Sequence, residues 1–484
     1  MNIKHQKTKQ ILDLFEEISA IPRCSKHEEK IGAFLLDWAG KHGIEARKDK
    51  VGNVLIKVKA SPGYERSGAV VIQGHMDMVC EKTADSPHDF AKDPIRFVVD
   101  GEWLKADHTT LGADNGIALA MAMTLALDKV AAHPPLELLF TVDEETGLTG
   151  ANALEGNFID GKILLNVDSE DEGVFTVGCA GGRDTHISLP VRYEDAPDGF
   201  VMARLKAGGM TGGHSGVNIH EERANAIRVL VRAVMQIRRE HDIRLADVSG
   251  GTAHNAIPRD AWADMFIPRD SFKAVEKVTA DMEQVFKHEF KKTDPGLKVG
   301  VELQPETMGK RPLNMADSGR ICDLIIGLPH GVAAMSTEIK GLVETSNNLA
   351  NVKIANSKLE IVTSQRSSVM TRLSALTWRI EAIARLAGAD AVSGNGYPAW
   401  QPNLQSPLLA RCKDVYRKLF GKEPHVEAIH AGLECGIIGD KKEGMDMISF
   451  GPTLKNPHSP DEKIHVESIG KIWDFLMELL KSLK

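Results

Sequence analysis

The sequence predicts an α/β fold in which a domain built on a mainly parallel sheet carries an inserted α+β lid domain. Three observations support this prediction. Short apolar runs alternate with amphipathic helices, the pattern changes in the middle of the chain, and the first pattern returns near the end. Strands that alternate with helices are typical of parallel sheets, because each crossover between parallel strands needs a long connection.

Two amphipathic helices open the chain. Apolar residues recur at helical spacing in both, and Pro22 separates them. The residues of the two apolar faces are Ile11, Leu14, Phe15 and Ile18 in the first, and Ile31, Phe34, Leu35 and Trp38 in the second.

Four apolar segments then predict strands, with an Ala- and Leu-rich helix before the third. The run at 69–72 has no polar alternation, which is typical of a strand buried on both faces. The predicted strands are 51–58, 69–72, 136–142 and 163–167, and the predicted helix is 116–128.

The middle of the chain has a different texture, with strand-like pieces and two long amphipathic helices, one around residue 230 and one after Ser367. Asn255 precedes a strand-like stretch ending at Arg269, and Asn348 precedes one ending at Arg366, which hints at an internal repeat. We therefore predict a catalytic domain formed by 1–186 and 396–484, and an inserted lid or substrate-binding domain at 187–395.

Composition excludes some classes of function. A net charge of −8 and only 5% aromatic residues argue against a nucleic-acid partner and a membrane-surface role. No apolar run approaches the roughly 18 residues of a spanning helix, and the first residues contain no apolar signal segment. Six scattered cysteines without a CxxC pair predict reduced, buried thiols, and hence a cytoplasmic protein.

The chemistry is concentrated in four segments, three of which follow predicted strands. In open α/β sheets, ligands bind beyond the carboxyl ends of the strands, so these segments can converge. Each alone fits an ordinary loop or helix cap, but four in order favour a metal site. The segments are Gly74-His75-Met76-Asp77, Gly112-Ala113-Asp114-Asn115-Gly116, Asp143-Glu144-Glu145-Thr146-Gly147 and Asn166-Val167-Asp168.

Residue types assign candidate roles within these segments. His75 is a good zinc ligand as a neutral imidazole, and Asp77, two positions on, could accept its other ring N–H. Asp114 has two carboxylate oxygens and could bridge two ions. Of the tandem pair Glu144 and Glu145, one could ligate while the other serves as base.

Taken together, these motifs resemble the dinuclear zinc exopeptidases related to carboxypeptidase G, aminoacylase and carnosinase. The late His458 completes the ligand order of that family, and aminoacyl-histidine dipeptidases are the group that looks most similar. Supporting motifs are Leu111-Gly112-Ala113-Asp114-Asn115-Gly116, Gly396-Tyr397-Pro398-Ala399-Trp400 and His430-Ala431-Gly432-Leu433-Glu434-Cys435-Gly436. The resemblance covers essentially the whole chain.

The resemblance implies two zinc ions per subunit, with cobalt or manganese as possible substitutes. Asp114 would bridge them, His75 and Asp168 would bind one, and Glu145 and His458 would bind the other. The implied catalytic residues are Glu144, as general base towards a water activated between the ions, and Asp77, which would orient His75.

The resemblance implies that four residues contact the substrate: His214, Asn255 and Arg366 in the inserted domain, and Gly432 after it. Arg269 and Asn348 remain alternatives for the arginine and asparagine. A homodimer is also implied, although the inserted domain is larger than the lid of the dimeric members.

The implied activity is hydrolysis of unblocked dipeptides, including Xaa-His dipeptides. Two other functions stay open: an N-acyl amino acid amidohydrolase with the same metal core, and a metal-binding scaffold without catalysis. The presence of Glu144 argues against the scaffold.

Overall fold

A computed structural model describes residue 3 and residues 5–305 and 309–484. The remaining positions of the predicted domains, at 1, 2, 4 and 306–308, lie outside the described residues. The chain forms two compact units, the first made of Met1–Cys179, Trp400–Ala428 and Leu433–Lys484, and the second of Ala180–Ala399 and Ile429–Gly432. The domain boundaries predicted at 186/187 and 395/396 fall a few residues from these divisions.

Elements are numbered in chain order through both units. The helices of the first unit are α1 (Gln6–Ser19), α2 (Glu29–Lys41), α3 (Ala113–Ala126), α4 (Glu144–Gly147), α5 (Thr149–Ala153), α10 (Pro407–Phe420), α11 (Glu434–Lys441) and α12 (Val466–Ser482). Its strands are β1 (Glu45–Lys48), β2 (Val54–Val58), β3 (Val70–His75), β4 (Phe97–Asp100), β5 (Trp103–Ala106), β6 (Leu136–Thr141), β7 (Ile163–Asn166), β8 (Val174–Cys179), β20 (His425–Ile429), β21 (Asp446–Ser449), β22 (Leu454–Lys455) and β23 (Lys463–His465).

The main sheet of the first unit has the order β1-β2-β6-β3-β7-β21-β8-β20. Its four central strands, β6, β3, β7 and β21, are parallel, while β1, β2 and β8 pair antiparallel. Every residue of β3 and β6 is buried, as expected for strands covered on both faces. The mainly parallel sheet predicted from the apolar runs is confirmed.

The helices around this sheet follow their sequence patterns. Ile11, Phe15 and Ile18 of α1 are fully buried in the same core as α3, α10 and α12. Helix α3 is apolar on nearly all sides, so it is buried all round, and its regular turns begin after Asn115. None of the described helices is long and apolar enough to cross a membrane.

The second unit contains α6 (Ala226–Glu240), α7 (Phe272–Glu289), α8 (Met315–Gly327) and α9 (Met370–Leu386) among its described residues. Its strands are β9 (Gly181–Pro190), β10 (Phe200–Gly208), β11 (Gly213–His214), β12 (Arg244–Gly250), β13 (Ala256–Ile257), β14 (Ala261–Pro268), β15 (Lys298–Leu303), β16 (Gly331–Met335), β17 (Val343–Ala355), β18 (Lys358–Ser367) and β19 (Asp390–Ser393).

The second unit repeats one topology twice. Apart from the short strands β11, β13 and β16, the first lobe consists of β10-α6-β12-β14-α7-β15 and the second of β9-α8-β17-β18-α9-β19. Each is a split β-α-β arrangement. The sheet order β15-β10-β14-β12-β17-β18-β9-β19 places the two lobes end to end. They meet where Ser249 pairs with Lys353 and Gly250 pairs with Val352.

The repeat accounts for only one of the two residue pairs noted in the sequence, the arginines and not the asparagines. Arg269 follows β14 and Arg366 is the last residue but one of β18, and these are equivalent strands of the two lobes. Asn348, however, lies inside β17, whereas Asn255 lies in the connection after β12. The arginines therefore occupy corresponding positions, and the asparagines do not.

The prediction that all six cysteines are reduced is wrong for two of them. Cys24 and Cys80 form a disulfide bond, while Cys179, Cys322, Cys412 and Cys435 are free and buried as predicted. A β-bridge between Cys24 and Met78 brings two distant segments side by side, a contact that cysteine spacing does not reveal.

We predict that replacing both Cys24 and Cys80 by serine lowers the free energy of unfolding by about 2–4 kcal/mol, because the cross-link restricts the unfolded chain. Urea unfolding with and without reductant measures this change. Reductant should destabilise the wild type and leave the double variant unaffected. Six reactive thiols in the denatured, never-reduced wild type would contradict the disulfide.

Candidate metal centre and substrate-binding residues

The acidic and histidine residues predicted from the sequence gather at the carboxyl edge of the parallel strands. His75 is the last residue of β3, the Glu144-Glu145 pair follows β6, and Asp168 follows β7. These strands are neighbours in the order β6-β3-β7, so their ends lie side by side. The loops after them therefore present the side chains to one place.

Asp114 stands at the middle of this cluster, at the start of α3. Its Oδ1 lies 3.0 Å from Nε2 of His75, and its Oδ2 lies 3.1 Å from Nε2 of His458. The two oxygens of one carboxylate thus face two different histidines, as a residue that bridges two cations would.

Each histidine has a second carboxylate beside it. Asp168 Oδ1 lies 3.5 Å from Nε2 of His75, and Glu145 Oε2 lies 3.0 Å from Nε2 of His458. The side chains therefore form two sets that share Asp114. The first set has His75 and Asp168, and the second has His458 and Glu145.

The cluster fits cations, because its three carboxylates, from Asp114, Glu145 and Asp168, outnumber its two histidines. Glu145 Oε1 and Asp168 Oδ1 are buried and accept no hydrogen bond from the described residues. Hydrogen bonds to Asp114 and Glu145 raise the pKa of His458 to about 11, so a proton is held where a cation would otherwise bind. Oxygen and imidazole ligands without a thiolate suit zinc, cobalt or manganese.

Asp77 lies behind His75 rather than among the predicted ligands. Its Oδ1 lies 3.2 Å from Nδ1 of His75. It accepts hydrogen bonds from the backbone N–H of Glu144 at 3.0 Å and of Glu145 at 3.2 Å, and from the Ser25 hydroxyl at 2.8 Å. Burial alone would raise the pKa of Asp77, but these bonds and His75 lower it to about 2. Asp77 is thus an ionised group that can orient the His75 ring.

Glu144 differs from its neighbour Glu145. Its carboxyl group makes no hydrogen bond or ion pair with the described residues, and it lies near His75, Asp168 and Glu434. Burial raises the pKa of Glu144 well above its usual range, the charge of His75 opposes the rise, and Asp168 and Glu434 add to it. A carboxyl group in such surroundings can hold a proton near neutral pH.

In the second unit, His214 is arranged as a hydrogen-bond donor. Its Nδ1 accepts the backbone N–H groups of Gly216 at 3.2 Å and Val217 at 3.1 Å. Burial, with the charges of Arg366 and His254, lowers the pKa of His214 to about 4. The imidazole is therefore neutral at pH 7, and its hydrogen is on Nε2.

Arg366 lies close to His214, and its side chain is only 6% exposed. Its Nη1 donates to the hydroxyl of Tyr397 at 2.7 Å. Its positive charge also lowers the pKa of His430, for which burial is the main cause. Arg269 lies instead on the surface, in the short 3-10 turn after β14.

Asn255 and Gly432 belong to the same neighbourhood. The Asn255 carbonyl accepts the N–H of Ser215 at 2.8 Å, next to His214. A Cβ on Gly432 would come within 2.9 Å of the Tyr397 ring. Asn348 is buried and donates to the carbonyls of His254 and Ala256, so it supports the segment that carries Asn255.

Comparison with known proteins shows which family has a sequence similar to this chain. A family model described as peptidase family M20/M25/M40 matches residues 71–482. The cytosol non-specific dipeptidase of Escherichia coli strain K12 is 40% identical over 471 residues, which are 97% of each chain. The crystal structure of an aminoacylhistidine dipeptidase from Vibrio alginolyticus has a TM-score of 0.89 at 38% identity, with 98% of this chain and 96% of that chain covered.

The chain belongs to peptidase family M20/M25/M40.

The family membership confirms the resemblance inferred from the motifs, and with it the predicted class of enzyme, a metallopeptidase. An aminopeptidase from Bacillus cereus shares the fold, with a TM-score of 0.57 at 17% identity over 98% of each chain. In this M20/M25/M40 member, the two groups of predicted site residues lie in different units, the predicted ligands in the first and the predicted substrate contacts in the second.

Four residues at these sites were given no role from the sequence. Arg23 and Glu462 contact the backbone of the loops that carry the predicted ligands. Glu434 accepts hydrogen bonds from Gln73 at 2.6 Å and Thr141 at 2.7 Å beneath the strand ends. Tyr397 contacts Arg366. Glu434 and Tyr397 lie in motifs that support the resemblance, whereas no local pattern distinguishes Arg23 or Glu462 from surface charges.

Proposed function

We propose that this protein hydrolyses unblocked dipeptides, including Xaa-His dipeptides, with two divalent cations. The observation that carries the proposal is the position of Asp114, whose two oxygens face the two histidines of separate ligand sets. The names of the two relatives that match nearly the whole chain, both dipeptidases, support the choice of substrate.

The first cation would be held by His75, Asp168 and Asp114, and the second by His458, Glu145 and Asp114. We propose zinc as the native metal, with cobalt or manganese as substitutes. When bound, such cations lower the pKa of water and polarise a peptide carbonyl.

Glu144 is the proposed general base. It takes a proton from the water that attacks the peptide carbon and then passes that proton to the nitrogen of the leaving amine. The position of Glu144 favours this role, because it adjoins the proposed ligand Glu145 in the turn after β6.

His214 is the proposed donor to the developing oxyanion. The neutral ring carries its hydrogen on Nε2, because Nδ1 already accepts two backbone N–H groups. A fixed donor of this kind stabilises negative charge that forms on the carbonyl oxygen in the transition state.

Arg366 is the proposed partner of the substrate's terminal carboxylate, since a guanidinium can bind a carboxylate through two hydrogen bonds. Asn255 and Gly432 are proposed to contact the same substrate, because Asn255 lies near His214 and Gly432 lies against Tyr397. We propose accordingly that the second unit serves as the substrate-binding domain.

Location and assembly are also proposals. The name of the Escherichia coli relative favours the cytoplasm, whereas the disulfide is unusual there. Trapping of thiols in intact cells, followed by fractionation, tests both points. The homodimer remains a prediction that light scattering after size-exclusion chromatography tests, and we propose no nucleic-acid or membrane partner.

We predict that the purified protein cleaves Ala-His and leaves N-acetyl-Ala intact. Activity should disappear after chelation and return when zinc is restored, because the carboxylate cluster needs cations. Release of amine from each compound measures both rates. Cleavage of N-acetyl-Ala instead would assign the protein as an N-acyl amino acid amidohydrolase, and inactivity on both would favour a scaffold.

We predict that Glu144→Gln lowers kcat by at least about 100-fold, the usual scale of general-base catalysis. Metal content should be unchanged, because Glu144 is not among the proposed ligands. Steady-state kinetics and elemental analysis of the same samples measure both quantities. Turnover near the wild-type rate would rule out the base assignment.

We predict that Arg366→Met raises KM for Ala-His at least tenfold, because the terminal carboxylate loses its bidentate partner. Arg269→Met is the matched control at the equivalent place of the other lobe, and its KM should stay at the wild-type value. An increase in KM for the Arg269 variant alone would reverse the assignment.

A further inference from the structure

Residues 111–114, which carry the proposed bridging ligand, are wrapped around one buried carboxylate. Glu462 Oε2 accepts the backbone N–H of Leu111 at 2.8 Å and of Gly112 at 2.9 Å. Its Oε1 accepts the N–H of Ala113 at 2.8 Å and of Asp114 at 3.3 Å. With an exposed fraction of 2%, Glu462 meets four consecutive N–H groups in place of water.

Arg23 donates hydrogen bonds to backbone carbonyls of this loop and of the loop after His75. Its Nη1 donates to the carbonyls of Met76 at 3.1 Å and Asp77 at 2.9 Å, and its Nη2 donates to Gly112 at 2.5 Å. The guanidinium is fully buried, which lowers the pKa of Arg23 to about 10, and the charge of Glu462 opposes that shift. Arg23 thus links the segment after His75 to the segment before Asp114.

The backbone is shaped to admit these two side chains. Gly112 has a φ of 69°, and a Cβ there would lie 2.6 Å from Nη2 of Arg23 and 2.7 Å from the sulfur of Met78. A side chain at this position would therefore push the loop away from the guanidinium. Glycine is required both for the left-handed conformation and for the close approach.

Glu462 also stands four residues after His458, in a compact turn. The N–H of Glu462 donates to the carbonyl of Ser459 at 3.0 Å, and the Ser459 hydroxyl donates to the Asn456 carbonyl at 2.9 Å. The same carboxylate thus ties the turn that carries His458 to the loop that carries Asp114. Both of these side chains belong to the second ligand set.

We propose that Glu462 is a positioning residue that sets the spacing of Asp114 and His458, and so the affinity of the second cation, with Arg23 as its buried counter-charge. This inference rests on the proposed two-cation centre. Outer partners of this kind commonly change metal affinity 10- to 100-fold when they are replaced. Neither side chain is itself a proposed ligand.

The test is the variant Glu462→Gln, which keeps the size of the side chain. The amide NH2 group faces backbone N–H groups that need an acceptor, so the loop has to shift. Equilibrium dialysis with zinc should show the second ion bound at least tenfold more weakly. The first ion should be weakened less, because only one of its proposed ligands, Asp114, is held by Glu462. Activity on Ala-His should fall at low zinc and recover when zinc is raised.

Glu137→Gln is the matched control. Glu137 is also 2% exposed, and its Oε2 accepts the backbone N–H of Asp160 and of Gly161, both at 2.8 Å. It is equally a buried acceptor of backbone N–H groups, but it does not contact a ligand-bearing loop. We expect a loss of thermal stability in both variants and weaker zinc binding only in Glu462→Gln.

A second variant, Arg23→Lys, keeps the charge but has too few fixed donors for three carbonyls. It should weaken the binding of both ions, because Arg23 contacts the loops of both sets. It serves as the test if Glu462→Gln does not fold.

The outcomes separate this inference from the function on which it rests. A wild type that binds no second ion would refute the two-cation centre itself. A wild type with two ions and a folded Glu462→Gln variant with equal affinities would refute the positioning role alone. Equal weakening of zinc binding in Glu137→Gln would also refute it, since the effect would then be general destabilisation.

Discussion

The repulsion among buried carboxylates at the carboxyl edge of the parallel strands is the constraint on which the rest of the structure depends. Asp77, Asp114, Glu144, Glu145 and Asp168 gather there, and an unpaired buried charge costs several kcal/mol. The protein offsets part of this cost with backbone N–H groups on Asp77 and with histidines beside Asp114. The oxygens that remain without partners are those that a cation would satisfy.

The sheet order gives this cluster its geometry. Because β6, β3 and β7 are adjacent and parallel, three loops that are far apart in sequence end at one edge. Asp114 and His458 come from outside that edge, and their segments need other supports, which Glu462 and Arg23 provide. Two buried charges that would be costly alone therefore hold the loops that carry the proposed ligands.

The second unit consists of two lobes that have the same topology. The two split β-α-β lobes share one core and one continuous sheet, which accounts for the length of the inserted domain. The lobes are not equivalent at the proposed substrate site, however. Arg366 is buried beside Tyr397, while its counterpart Arg269 is exposed after β14. A repeat that is regular in topology thus provides the arginine from one lobe only.

The sequence by itself determined the features that depend on local residue patterns, namely the buried strands and the apolar faces of helices. Strand ends such as His75 and Asp168 were predicted because apolar runs mark buried strands, and the face of α6 was predicted from its helical spacing. Tertiary structure alone decided the Cys24–Cys80 disulfide, the buried contacts of Arg23 and Glu462, and the return of Ile429–Gly432 to the second unit. The physical reason is that periodicity reports only which face of a local element is buried. Composition and spacing do not reveal which distant segments pair. They also do not reveal which charged side chain is buried against distant backbone groups.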